Sequence, residues 1–413
     1  MNIFKLKNPL LVGISLSSIG VPLGMYFNYF YPGLKWSPIF MALAFIFTCN
    51  WGNLLRNKFP LMNGYFKLII VAQLLVIFYG VIGSNTDNQI LSFLLFTIAY
   101  VVALATNCNV KALDKLPQYM FFMSLLPLVL GTFVCLRNLV VGEDAWLLKQ
   151  ELDYYSLEPF SVSQGALTNM IAGLCMAKNK KWEKILFLIA LALGTYVILS
   201  CEKRTPYIVF CMIVIYYFYV KSKNSFKKIV PYAFVIFVLI LLFYLFIPFF
   251  HDKIDDFVGN TYNGLLNLLG DTSVSDKTGS AIMRVHSRER AYQYITENFG
   301  FLNYIFGGGF LCVGAIDNPI LQMYIEMGLL GASLYFYIVV YTPLKIAQKR
   351  INNNSVMLTM SLTLYSIISI FNSGHPYMWA KWTPVAVLVA VVMLYKLECK
   401  HNRRSILSLP NEK

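Results

Sequence analysis

The sequence predicts an all-α integral membrane protein, a single polytopic domain over residues 1–413 with about twelve transmembrane helices and both termini cytoplasmic. Three observations predict it. Apolar runs of about 18 residues or more recur along the chain, each long enough to cross a hydrocarbon layer roughly 30 Å thick. The composition is 58% hydrophobic and only 13% charged, too little polar surface to cover a soluble core of this size. The basic residues also gather in alternate loops, as they do when positive charge is retained on the cytoplasmic side.

The expected spans lie near 10–29, 37–55, 66–84, 88–106, 119–136, 160–177, 185–200, 206–220, 229–249, 319–342, 356–373 and 382–397. Backbone groups inside a bilayer need internal partners, so each run reads as a helix. The first span follows Lys5 and Lys7 and lacks a small-residue cleavage site, so it reads as a helix and not a removable signal peptide.

The net charge is +14, and its distribution excludes nucleic acid as a partner. With both termini inside, the inner segments hold Lys5 and Lys7; Arg56, Lys58 and Lys67; Lys111 and Lys115; Lys178–Lys184; Lys221–Lys228; Lys345–Arg350; and the tail from Lys396. Together these are 23 of the 34 Lys and Arg. Membrane lipid is the expected surrounding. The eight cysteines show no CxxC and no Cys/His metal spacing, so no metal site or cofactor is expected. Cys201 and Cys312 both fall on the outer side. They either pair or, as the lack of a disulfide framework favours, stay free.

Two outer loops are long, 137–159 and 250–318, the second between spans nine and ten. The first carries Glu143, Asp144, Glu151, Asp153 and Glu158 with Trp146, Tyr154 and Tyr155. The second contains a short amphipathic helix over about 284–299. On it Arg288, Tyr292, Ile295 and Phe299 share one face, joined by Arg284 if the helix starts early. Arg290 points about 200° away. An Arg on a buried face needs an anion, either a ligand or a structural partner such as Asp252, Asp255 or Asp256.

Three further patterns carry chemistry. Glu202-Lys203-Arg204-Thr205-Pro206 is a tight outer turn before a span, where helix N–H groups, Lys203 and the Arg204 fork suit a phosphate. The alternative is that Arg204 pairs with Glu202 or reaches headgroups. In Asp317-Asn318-Pro319, followed by Gln322 and Glu326, the polar residues Asn318, Gln322 and Glu326 form a stripe down one helix face. Glu326 lies about 10 Å inside by helical rise, where ionisable groups are functional candidates. Asp317 is either an active group or a helix-start acid favoured by the dipole, and Glu326 either an active group or half of a buried pair with an Arg. His375, in Asn372-Ser-Gly-His-Pro, sits at the outer end of span eleven near Trp379 and Trp382, and either acts or serves structure. His286 is a similar candidate and His251 a weaker one.

These residues, in this order, resemble the superfamily of O-antigen polymerases and O-antigen ligases. The resemblance rests on the Lys-Arg-Thr turn, Arg288-Glu-Arg-Ala-Tyr292, Phe306-Gly-Gly-Gly309 and Asp317-Asn-Pro-Ile-Leu-Gln-Met-Tyr-Ile-Glu-Met-Gly-Leu-Leu-Gly331, over about 200–335. It implies a GT-C-like membrane glycosyltransferase that uses polyprenyl-pyrophosphate-linked oligosaccharide on the outer face of the bacterial cytoplasmic membrane, inverting and metal-independent. Arg204 and Arg288, aided by Lys203 and Arg284, would bind the pyrophosphate. Tyr292, standing where the family has Trp, would bind sugar with Asn318 and Gln322. The ligase-type His before Asn is Asp317 here. Asp317 therefore either takes the role of base or leaves it to Glu326, His286 or His375. The missing His favours polymerase over ligase, with a chain-length regulator as a further partner. The reading of another class is a lipid-linked oligosaccharide flippase or transporter. The lack of duplicated halves and the large late outer loop speak against it.

Overall fold

A computed structural model describes residues 8–31, 33–82, 88–141, 159–177, 180–201, 204–221, 251, 255, 258–259, 262–263, 280–314, 316, 318–368 and 375–407. Among these residues no strand occurs. The chain is a multi-pass helical membrane protein. Helices α1 (Pro9–Phe30), α2 (Trp36–Thr48), α3 (Trp51–Leu55), α4 (Gly64–Ile82), α5 (Asn88–Ala105), α6 (Leu116–Val141), α7 (Pro159–Cys175), α8 (Lys181–Ser200) and α9 (Arg204–Lys221) come first. After them come α10 (Ser280–Asn298), α11 (Phe301–Phe306), α12 (Pro319–Phe336), α13 (Thr342–Ala347), α14 (Asn354–Ile368) and α15 (Trp379–Leu407). A π-helical turn, Tyr337–Tyr341, joins α12 to α13.

Among the described residues, six helical stretches are long and apolar enough to cross a membrane, and four shorter apolar helices accompany them. The expected count of twelve is not reproduced by that measure. The span expected at 229–249 lies outside the described residues, as does most of the outer loop 137–159.

The span expected over 37–55 is shorter than its apolar run. It stops at Thr48, and Asn50 begins α3 by accepting from Asn53 N–H at 3.2 Å. The freed polar groups are met across the bundle. Thr106 Oγ1 accepts from Asn50 N–H at 2.9 Å, and Asn107 Nδ2 donates to Thr48 O at 2.7 Å. Local polar partners end the helix before its hydrophobicity does.

In lipid, helices gain little from burying apolar side chains against each other, so close packing of small residues matters more. A side chain at Gly13 or Gly24 of α1 would collide with Thr48 or Ser37 of α2. α7 is nearly all buried, and its Asn169 Nδ2 donates to Phe121 O at 2.9 Å and Ser124 Oγ at 3.0 Å of α6. The first and last spans meet where Trp379 Nε1 donates to Ser17 O at 2.8 Å.

A broken helix and its buried polar cluster

The start of α12 is written in its first residues. The Asn318 side chain accepts from Leu321 N–H at 3.2 Å, and Pro319 at the first position needs no N–H partner. The capping residue is Asn318, as expected. Asp317 itself lies outside the described residues.

Nine residues later the helix breaks. Gly328 has φ 64° and ψ −162°, a conformation open essentially to glycine. The break frees backbone carbonyls inside a span, where each needs a protein partner. Gly308 N–H donates to Ile325 O at 2.7 Å, and Gly309 N–H donates to Glu326 O at 3.1 Å. The glycines are required by contact. A Cβ on Gly307 (φ 83°) would lie 2.3 Å from the Glu326 backbone, and one on Gly328 would lie 2.3 Å from that of Ile305. The Phe306-Gly-Gly-Gly309 motif is thus the mate of the Gly328 break, docked backbone to backbone.

Beneath this joint sits a buried polar cluster. Gln322 is fully buried and Glu326 is 1% exposed. Gln322 Oε1 accepts from Ile316 N–H at 3.2 Å, which fixes the orientation of the amide. Its Nε2 therefore donates, with Glu326 Oε1 at 2.7 Å, His375 Nε2 at 2.8 Å and Gly314 O at 3.3 Å. The contact with Gln322 ties His375 to the cluster through its Nε2. The Tyr377 hydroxyl donates to Glu326 Oε2. Burial, then the neighbouring Glu326, holds the Tyr377 phenol well above its usual pKa, so it remains a donor. Among the described residues the side-chain partners of Glu326 are the neutral Gln322 and Tyr377, and not an Arg.

Cys312 stands beside this cluster, with Sγ 4.0 Å from Ile325 O. Burial first, and Glu326 second, push its thiol up to about 11, so at neutral pH it is a thiol and not a nucleophile. It lies with Tyr294 and not with Cys201.

Helix α10 covers the joint. Ala291 is fully buried and clusters with Ile316 and Ile325, flanked by Tyr294, Ile295, Phe299 and Cys312. Arg288 is half-buried and Arg290 exposed, as the helical phase predicts. Tyr292 departs from the prediction: it is 60% exposed. The small Ala291 lets the helix approach α12 closely, and this turns the buried face by one position and swings Tyr292 outward. His286 is exposed and bonded to Glu289 at 3.1 Å, and Asp255 faces His251 at 3.3 Å. Arg204 begins α9 and Arg284 lies within α10. Their side chains, and all of Lys203, are outside the described residues.

Two buried groups escaped the sequence reading. Tyr377 is one, and its signal was its place two residues after His375. The other is Lys381, 3% exposed in the first turn of α15. Its signal was a cation between Trp379 and Trp382 at a span's start.

Residues 187–336 match the family model described as O-antigen ligase. The match supports the likeness of this stretch to the O-antigen polymerase and ligase superfamily, whose members are glycosyltransferase-like enzymes. It covers α8 through α12, including Gln322 and Glu326, while His375 and Tyr377 complete the cluster from outside it. No curated protein matches the sequence.

Proposed function

We propose that this chain, with its O-antigen ligase family segment, polymerises polyprenyl-pyrophosphate-linked oligosaccharide repeat units. The reaction takes place on the outer face of the bacterial cytoplasmic membrane. The observation that carries the reading is the Gln322–Glu326–Tyr377–His375 cluster, buried at a broken helix and covered by the helix that bears Arg288. A polar assembly of this kind inside a membrane domain is costly unless it serves a site.

The donor is a lipid-pyrophosphate-linked chain, and the acceptor is a sugar hydroxyl of a second lipid-linked unit. The hydroxyl oxygen attacks the anomeric carbon of the donor, and the bond to the pyrophosphate oxygen breaks on the opposite face. Arg204 and Arg288, with Lys203 and Arg284, meet the charge that grows on the leaving group. Asp317 takes the hydroxyl proton. Two observations support this assignment. Asn318 does the capping, and Gln322 clamps the backbone at Ile316, so the neighbours of Asp317 are fixed on both sides. Gln322, Glu326, Tyr377 and His375 position that turn, with Asn318 and Tyr292 toward the sugars.

The description of the matching family as O-antigen ligase favours a second reading, transfer of finished polymer to lipid A–core. A deletion strain separates the readings. Loss of the polymerase leaves surface lipid capped by one repeat unit. Bare core with polymer held on the lipid carrier would instead establish the ligase. Repeat units trapped inside would establish a flippase and overturn the enzyme reading. Complementation with Asp317→Asn should fail while the protein still accumulates, and full complementation would refute the base assignment.

A further inference from the structure

We propose that Cys135 and Cys201 form a disulfide that ties α6 to α8 near their outer ends. The orientation used is that of the proposed function, in which both helices run from the cytoplasmic to the outer side.

The geometry comes from the packing of the two helices. A Cβ built on Gly131 of α6 would lie 3.4 Å from Val197 Cγ1 of α8. One turn further on, in the same direction along each helix, stand Cys135 and Cys201. Cys201 continues the α8 spiral, its N–H donating to Val197 O at 3.0 Å. Parallel helices that touch at one level bring the residues four positions on to the next level together. The Cys135 thiol is in hydrogen-bonding contact with the Cys201 thiol. The side chain that Gly131 lacks matters here, because a disulfide needs Cα atoms about 4.4–6.8 Å apart. Both cysteines are buried. The sequence left a Cys201–Cys312 pair as the less favoured alternative to free thiols, and Cys312 lies with Tyr294 and Ile325 O.

Structural disulfides form and persist on the oxidising side of the membrane. The oxidant is a protein disulfide donor of that compartment. One thiolate attacks the donor's disulfide and forms a mixed disulfide. The second thiolate displaces the donor, which leaves as a dithiol carrying the two electrons. Because both sulfurs end up buried, exchange precedes the final packing of α6, α7 and α8. The product is then shielded from later reductants.

The test blocks free thiols with N-ethylmaleimide in denaturant directly on harvested cells. The full-length chain is then reduced and tagged with maleimide-polyethylene glycol. The expected result is two tags that appear only after reduction, and none on either Cys135→Ser or Cys201→Ser. An untagged native chain overturns the proposal, as does retention of both tags by either variant. In the untagged case, treating unblocked membranes with diamide separates the causes. Cross-linking between these two cysteines traces the failure to the orientation, and its absence traces it to the helix geometry.

Discussion

Replacing Gly328 with alanine tests the broken helix where three costs coincide. The φ of 64° and ψ of −162° suit glycine, and an alanine held there is strained. The added Cβ would sit 2.3 Å from the Ile305 backbone carbon and oxygen, atoms that cannot rotate away. Relief requires the Gly307–Gly309 turn to withdraw, which releases the bonds from Gly308 to Ile325 O and from Gly309 to Glu326 O. Backbone strain of about 1–3 kcal/mol and the two buried carbonyls left unpaired at about 1–3 kcal/mol each give a destabilisation of about 3–9 kcal/mol. Two other glycines calibrate the series. Gly314 has φ 78° but nothing within 4 Å, so Gly314→Ala bears strain alone, about 1–2 kcal/mol. Gly64 has neither feature, so Gly64→Ala should stay within about 0.5 kcal/mol of the parent. Reversible unfolding in mixed detergent and SDS micelles reads all three variants. Gly328→Ala matching Gly64→Ala would refute the view that the joint is a backbone-to-backbone contact.

Asn318→Ala removes a cap and should cost about 0.5–2 kcal/mol in that unfolding assay and weaken sugar binding as well. Asp317→Asn should abolish polymer formation with stability near the parent's, and the pair is measured by stability and polymer length together. Gln322→Leu preserves volume but strips partners from Ile316 N–H, His375 Nε2 and one Glu326 oxygen. It should lower the joining rate at least about tenfold, a barrier change near 1.4 kcal/mol, measured with purified lipid-linked repeat units. Arg288→Ala should slow joining by about 10²–10³-fold, the scale of a lost charge-stabilising group. Arg290→Ala, on the exposed side, should leave the rate near the parent's. Equal rates for the two variants would remove Arg288 from the site.

The six long apolar helices were legible because lipid imposes a length on any sequence that crosses it. The phase of α10 was legible for Arg288 and Arg290, since charge avoids a packed face. It failed at Tyr292 because Ala291, silent in a pattern of large apolar residues, set the closest approach to α12. Glu326 was legible as a buried acid on the Asn318–Gln322–Glu326 stripe. Its partner Tyr377 was not, because about fifty intervening residues fold back to bring it there and no local pattern records such a return. The same holds for Gly328. As a sequence feature it reads like any glycine in an apolar helix, and only its contact with Ile305 gives it a role. Span two was read too long because Thr106 and Asn107, the groups that end it at Thr48, belong to another helix.

The bond from Trp379 to Ser17 joins the first span to the last. His375 and Tyr377 stand immediately before that last helix, while Gln322 and Glu326 wait on α12. A ribosome therefore supplies His375 and Tyr377 only about fifty residues after Gln322 and Glu326. Until α15 inserts and clasps α1, Glu326 lacks the Tyr377 hydroxyl and Gln322 lacks His375. Biogenesis itself thus withholds the assembled cluster, and a chain stalled between α12 and His375 holds only half of it.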